Sequence, residues 1–141
     1  MVLVVDLLKD VEEFYAGFAA GDFDRAFRIF AETVVTVEPT LGRAAGLHVW
    51  REYDEAFKAA CPDARFVLRS AIQAGERIAV EGSLRGTFAN PLRTPQRELQ
   101  PTGHSFDVWY AHFLDFRDGR VVEHHIYYDQ VAFGVQLGII P

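Results

Sequence analysis

The sequence is poor in the features that would support several common functions. Its 141 residues include one cysteine, Cys61, which excludes an internal disulfide framework and a cysteine-based metal cage. Basic residues number 14 against 20 acidic ones, and a net charge of −6 disfavours a nucleic-acid-binding surface. The first apolar run, Val2 to Val5, ends at Asp6, far short of a membrane span or signal peptide. We therefore expect a cytoplasmic protein that binds neither nucleic acid nor a membrane.

The composition is instead typical of one compact globular domain. Half of the residues are apolar and 13% are aromatic. A chain of this length buries enough surface to form one hydrophobic core. It contains no linker, internal repeat or low-complexity tract. We expect residues 1–141 to form a single domain.

The first half of the chain has helical periodicity. From Leu7 onward apolar residues recur at helical spacing, and Gly21 is placed to end that helix. Asp22 is suited to cap a second helix, since its side chain can accept from free backbone N–H groups. Residues 33–37 are β-branched and predict a short strand. Residues 47–60 predict a third helix.

The second half alternates with a period of two. Residues 65–73, 77–88, 106–116 and 121–129 predict four long strands. The last two are joined at Asp118-Gly119, a dipeptide typical of a two-residue hairpin turn. Helices followed by a meander of antiparallel strands predict the α+β class.

The last hairpin concentrates polar side chains on one predicted face. If the turn is tight and no bulge occurs, His112 faces His125 and Tyr110 faces Tyr127, with Asp129 on the same side. A bulge would move part of this set to the other face. Burying such groups among apolar neighbours is costly, so the face is a candidate site, a hydrogen-bonded polar network or a solvated surface.

The opposite face of the same hairpin is predicted to carry large apolar groups. Trp109 and Phe113 from one strand would lie beside Ile126 and Tyr128 from the other. Monomeric proteins seldom expose a patch of this kind. We expect a second copy of the chain to cover it, forming a homodimer.

Short motifs along the chain match a known family in order and spacing. The resemblance is carried by Ala20-Gly21-Asp22, Gly82 to Thr87, Pro101-Thr102-Gly103, Asp118 to Glu123, Tyr128-Asp129 and Gln136-Leu137-Gly138. On these motifs the sequence resembles the SnoaL-like polyketide cyclases of the nuclear-transport-factor-two-like superfamily. It departs from them at Phe88, where the family often has His, and at His104, where it usually has Arg.

The resemblance implies both a fold and a chemistry. The fold is a cone-shaped α+β roll, in which N-terminal helices pack on a strongly curved, mainly antiparallel sheet and enclose an apolar pocket. The family's cyclases close a ring by intramolecular aldol condensation without a cofactor or metal, and they dimerise through the outer sheet face. Their acid/base aspartate matches Asp129, so the implied substrate is a small, apolar, polyketide-like molecule.

The predicted site combines the resemblance with the hairpin analysis. Asp129 is the expected acid/base, and His112 and His125 are further catalytic candidates from the hairpin. Tyr110 and Tyr127 are expected to bind substrate and stabilise an enolate.

Two helical aromatic residues, Trp50 and Phe18, are further substrate-binding candidates. We expect no metal: the adjacent His124 and His125 would point to opposite faces of a strand and cannot chelate one ion. Other functions stay open for the same pocket, namely a binding domain without catalysis, or a hydrolase, isomerase or hydroxylase.

Overall fold

The structure of the protein is a computed structural model that describes residues 6–141. The elements of the first half are α1 (Leu7–Ala20), α2 (Phe23–Phe27), β1 (Phe30–Glu38), β2 (Gly42–Ala45) and α3 (Leu47–Ala60). Those of the second half are β3 (Arg65–Ala74), β4 (Arg77–Thr87), β5 (Leu92–Arg93), β6 (Glu98–Leu99), β7 (Ser105–Arg117), β8 (Arg120–Tyr128) and α4 (Gln130–Leu137).

Six strands form the main sheet in the order β2-β1-β8-β7-β4-β3. Strands β1 and β8 pair in parallel, and the other neighbours pair antiparallel. Strands β5 and β6 form a separate two-stranded hairpin. Helices packed on a curved, mostly antiparallel sheet confirm the predicted α+β roll.

Two clusters of buried side chains hold the helices against the inner face of the sheet. The larger cluster joins Val11 and Phe14 of α1 to Val34 of β1 and Leu114 of β7. The smaller cluster lies at the other end of α1, around Phe18. The cavity described below lies between α3 and the sheet, so these clusters fix the positions of its walls.

Several local predictions are confirmed at the level of single residues. Helix α1 ends at Gly21, whose φ of 71° is the left-handed conformation that glycine adopts without strain. The Asp22 side chain accepts a hydrogen bond from the Arg25 N–H at 3.1 Å and so caps α2. Asp118 and Gly119 both have positive φ, as a two-residue hairpin turn requires.

The predicted face of β8 is wrong because the strand contains a bulge. Asp115 pairs with Glu123, but the adjacent Phe116 pairs with Val121, which leaves Val122 as an extra residue. The extra residue shifts the pairing of β8 with β7 by one position. The side chains of β8 that follow it therefore lie on the opposite face of the sheet from the one predicted.

The inverted strand changes which residues share a face. His112 lies opposite Ile126, and Tyr110 lies opposite Tyr128. His124 is fully buried in place of the predicted His125.

The C-terminal helix α4 is an element that the strand analysis missed. Asp129 is not the last strand residue but the N-cap of α4, and Gly138 ends the helix with a φ of 79°. These two residues are the ordinary start and stop signals of a short helix, so the sequence did contain evidence for it.

The contact between α1 and α2 makes a prediction about stability. A Cβ atom on Gly17 would lie 2.6 Å from the backbone nitrogen of Ala26, which cannot move without shifting α2. Helix propensity alone predicts that Gly17→Ala stabilises the protein by about 1 kcal/mol. We expect the clash to prevail and to lower the free energy of unfolding by about 1–3 kcal/mol.

Urea denaturation measures this change, and Ala16→Gly at an exposed site of the same helix is the control. The free energy of unfolding of the control should fall by about 1 kcal/mol, because glycine has a lower helix propensity than alanine. A Gly17→Ala protein more stable than the parent would contradict the packing of α1 on α2.

Candidate active site

A cavity lies between α3 and the inner face of the sheet. Its empty volume is about 530 Å³, including the part that opens to solvent. Helix α3 contributes Trp50, Tyr53, Asp54 and Phe57, which share one helical face because of their i, i+3, i+4 and i+7 spacing. The strands and α4 supply mainly aromatic and aliphatic walls, so the few polar groups inside stand out.

Asp54 is the most unusual of these polar groups. Its side chain is buried, and its Oδ2 atom has no hydrogen-bond partner within residues 6–141. Burial, with repulsion from Glu55 and Glu38, raises the pKa of Asp54 well above its usual range, although Lys58 opposes the shift. A carboxyl group with a raised pKa is a stronger base than an ordinary carboxylate and is therefore suited to proton transfer.

Glu38, the second buried acid of the cavity, is saturated with donors. Its Oε1 atom accepts from the hydroxyl groups of Tyr128 at 2.6 Å and Tyr53 at 3.4 Å. Its Oε2 atom accepts from the backbone N–H groups of Thr40 and Leu41 at 2.8 and 2.9 Å. A carboxylate with four donors is stabilised as a structural anchor and has little capacity left for a substrate.

A buried hydrogen bond joins the helical side of the cavity to the sheet. The Tyr15 hydroxyl lies 2.8 Å from Nδ1 of His112. Burial, with repulsion from His124, lowers the pKa of His112 well below its usual range, so the imidazole is neutral. Because Tyr15 occupies Nδ1, the other ring nitrogen of His112 is the one available to a bound molecule.

Tyr110 lines the cavity next to His112. Its hydroxyl oxygen is buried and has no hydrogen-bond partner in the part of the chain that the structure describes. Burial raises the pKa of Tyr110 to about 12, although hydrogen bonding with the nearby Tyr15 hydroxyl opposes the shift, so the hydroxyl stays protonated at neutral pH. With no well-aligned partner, its proton can turn toward an oxygen atom of a ligand.

His124 is buried behind the cavity wall in a cage of rings. Its imidazole centroid lies 5.3 Å from that of Trp50 and 5.1 Å from that of His112. Burial, with repulsion from His125, lowers the pKa of His124 to about 3. The sequence analysis missed this residue as a pocket neighbour because only the bulge brings it inside.

The structure brings three of the predicted site residues together. His112, Tyr110 and Trp50 all line the cavity. Phe18, predicted to touch substrate, is instead fully buried in the smaller core cluster. It faces Phe66 and the Lys58 side chain rather than the cavity.

Asp129 does not point into the cavity, so its predicted placement is wrong. The side chain is exposed, and its Oδ1 atom accepts from the Ala132 N–H at 2.9 Å to cap α4. It lies at the outer face of the sheet, beside Trp109 and Tyr127. Asp129 lies there because it precedes α4, and a free backbone N–H group in the first turn of that helix donates a hydrogen bond to its carboxylate.

His125 and Tyr127 are also outside, because the bulge inverts their strand. On the outer face His125 lies 3.0 Å from the Glu123 carboxylate and 3.2 Å from the Tyr127 hydroxyl. The missed acid, Asp54, could have been found as a carboxyl residue on the apolar face of helix 47–60, between Trp50 and Phe57.

Residues 6–141 contain no cluster of three His, Cys, Asp or Glu side chains close enough to hold a metal ion. They also contain no helix that is both long and apolar enough to cross a membrane.

Comparisons with known proteins agree with the fold. The sequence profile of the SnoaL-like domain family matches residues 11–124. Comparison with curated proteins finds no significant match. Among solved structures, the chain is similar to AclR from Streptomyces galilaeus, a proposed hydroxylase, with a TM-score of 0.80 and 21% identity over 95% of this chain and 96% of AclR.

Two further structures are comparably similar. IdmH from Streptomyces antibioticus, a proposed polyketide cyclase, has a TM-score of 0.78 and 23% identity over 95% of this chain and 99% of IdmH. TerC, crystallised with polyporic acid, has a TM-score of 0.73 and 20% identity over 93% of this chain and 97% of TerC. At these identities the likeness establishes a shared fold.

The raised pKa of Asp54 makes a prediction about stability and pH. The native pKa exceeds the unfolded one, so the folded protein loses stability as pH rises through and above the unfolded value. Asp54→Asn removes this loss. Relative to the parent, we expect the variant to gain stability as pH rises above about 4, the unfolded value, by about 1.4 kcal/mol for each unit of the pKa difference.

Denaturant unfolding at a series of pH values measures the gain. Glu52→Gln is the matched control, because Glu52 lies on the same helix but is exposed to solvent. A constant stability difference between the Asp54→Asn protein and its parent across this pH range would show that Asp54 is not a desolvated acid.

Proposed function

The chain belongs to the SnoaL-like domain family, and from this premise we propose that it is a proton-transfer enzyme acting on a small apolar substrate in the cavity. The observation that carries the proposal is the buried carboxyl group of Asp54, which lines the cavity with one oxygen unpartnered. We propose Asp54, rather than Asp129, as the acid/base. The proposed polyketide cyclase and the protein crystallised with polyporic acid among the similar structures support a small-molecule substrate.

The proposed reaction is an intramolecular aldol closure. The Asp54 carboxylate removes a proton from a carbon next to a carbonyl group, which gives an enolate and a neutral carboxylic acid. The enolate carbon forms a carbon–carbon bond with a second carbonyl carbon of the same molecule. The oxygen of that carbonyl becomes an alkoxide and takes the proton back from Asp54. Atoms and electrons balance without an oxidant or reductant.

Other cavity residues would assist through hydrogen bonding and confinement. The Tyr110 hydroxyl is suited to donate to the enolate oxygen. His112 is fixed at Nδ1 by Tyr15, and its Nε2 atom can form a hydrogen bond to the substrate. The apolar walls exclude water and hold a flexible chain with its reacting carbons close together.

Hydrogen exchange tests the proton-transfer step without knowledge of the natural substrate. The probe is 2-tetralone, a flat apolar ketone whose α-protons exchange in D2O and are followed by NMR. We expect the protein to accelerate exchange, and Asp54→Asn to reduce the acceleration at least about a hundredfold, since this is the usual contribution of a general base. Binding of 2-tetralone should be retained.

Asp129→Asn is the matched comparison at the position implied by the family resemblance. We expect it to keep most of the exchange activity. Loss of exchange in Asp129→Asn with retention in Asp54→Asn would overturn the assignment of Asp54. Exchange at the protein-free rate in the presence of the parent and both variants, with binding intact, would support a binding domain without catalysis.

We also propose that the outer sheet face forms a homodimer. Its apolar members differ from the predicted set, since Ile126 and Tyr128 turn inward while Tyr127 turns outward. The Trp109 side chain is 63% exposed, which is unusual for a large aromatic group on a sheet. The Arg69 guanidinium stacks over the Trp109 ring, 5.0 Å from its centroid.

Light scattering tests this assembly. We expect the parent protein to have twice the chain mass of 15.9 kDa at micromolar concentration, and Trp109→Lys to give a monomer, because a charge on the face would have to be desolvated. Val135→Lys, at an exposed position of α4, should remain a dimer. A monomeric parent protein would contradict the proposal.

A further inference from the structure

The cavity adjoins a larger groove. The groove has an empty volume of about 1200 Å³, including its solvent-exposed part. Tyr53, Phe57, Tyr128 and Phe133 line both spaces, so these four side chains lie at the boundary between them. A molecule that passes between these side chains would have one end beside Asp54 and the other in the groove.

Charge is distributed unevenly along this path. The inner cavity is lined by two acidic side chains, Asp54 and Glu38, and by no lysine or arginine within residues 6–141. The groove is lined by two arginines, Arg93 and Arg97, and none of its described lining residues is acidic. In a chain with a net charge of −6, a basic mouth over an acidic interior is a marked local contrast.

The two arginines are not equivalent. The Nε atom of Arg93 lies 3.2 Å from the Glu98 carboxylate across the β5–β6 hairpin, so its charge is largely matched. No carboxylate in the described part of the chain forms an ion pair with Arg97.

The backbone of Arg97 is fixed although its side chain is free. The Arg97 carbonyl accepts from the N–H of Thr94 at 2.8 Å and from its hydroxyl at 2.9 Å. The Arg97 N–H donates back to the Thr94 hydroxyl at 3.0 Å. The turn at the hairpin tip thus holds an unpaired guanidinium at the groove.

We infer that the substrate of the proposed reaction carries an anionic group, such as a carboxylate, at the end remote from its reacting carbonyl, and that Arg97 binds this group at the mouth. The inference rests on the proposed function and extends it to the substrate class. An anion placed deep in the cavity would lose its hydration and meet Glu38 and Asp54. An anion placed at the mouth stays hydrated and lies near the Arg97 guanidinium. The charge pattern therefore sets the direction in which the molecule enters.

A matched pair of probes separates the anionic group from the apolar body. 8-Anilino-1-naphthalenesulfonate and N-phenyl-1-naphthylamine share one aromatic skeleton and differ by the sulfonate. The chain has two tryptophans, so a Trp109→Phe background leaves Trp50, in the cavity wall, as the one energy donor. Energy transfer from Trp50 then reports binding, and loss of the signal in excess 2-tetralone assigns the bound probe to the cavity.

The expected result is a selective loss. Arg97→Gln should weaken binding of the sulfonate probe about three- to fivefold, the range for a solvent-exposed ion pair, and leave the neutral probe unchanged. Raising the salt concentration from about 50 to about 500 mM should weaken binding of the sulfonate probe to the parent protein and have less effect on the variant. Arg117→Gln, at the β7–β8 turn, is the control and should change neither probe.

Three other outcomes count against the inference, and they separate it from the proposed function. Equal weakening of both probes in Arg97→Gln would show that the side chain only packs at the groove. No change for the sulfonate probe, with the neutral probe still bound, would overturn the anionic substrate and leave the cavity reaction intact. Failure of both probes to accept energy from Trp50 would contradict ligand binding in the cavity and so overturn both.

Discussion

The extra residue in β8 is the constraint on which the interior of this protein depends. Side chains of a strand alternate between faces, so one inserted residue decides which set of later residues is buried. With Val122 accommodated as a bulge, His124, Ile126 and Tyr128 face α3. Without it, His125 and Tyr127 would face inward, and Glu38 would lose its hydrogen bond from Tyr128.

The polar groups inside the cavity divide into anchored and unanchored members. Glu38 and His112 each have hydrogen-bond partners that hold them in place, whereas Asp54 and Tyr110 have unpartnered oxygen atoms. An unpartnered buried group is costly to the folded state. In the proposed reaction, a bound molecule would supply the missing partners of Asp54 and Tyr110.

The sequence was most informative where local chemistry decides the structure. The Asp118-Gly119 turn, the Asp22 cap and helix 47–60 depend on a few neighbouring residues, and the structure has them as predicted. The bulge at Val122 depends on packing of the whole sheet and has no local signal. Because the bulge was not predicted, His125 and the residues of β8 after it were assigned to the wrong faces of the sheet.

Asp129 shows a different limit of sequence analysis. Its match to a family motif and its place at the end of predicted strand 121–129 both favoured a pocket residue, but the same residue begins a helix that ends at Gly138. The free backbone N–H groups of that helix determine where the carboxylate lies.

The hydrogen bonds around Thr40 have a consequence for the order in which this protein can form. Gln130 donates to the Thr40 hydroxyl at 3.1 Å, and that hydroxyl lies 3.3 Å from the Tyr128 hydroxyl, so contacts separated by about 90 residues in sequence close the cavity. Phe133, in the following helix, completes the wall. During synthesis from the N-terminus, the first three helices and β1 emerge from the ribosome before these partners. The cavity therefore stays open in the nascent chain until the segment from Tyr128 to Phe133 has been translated.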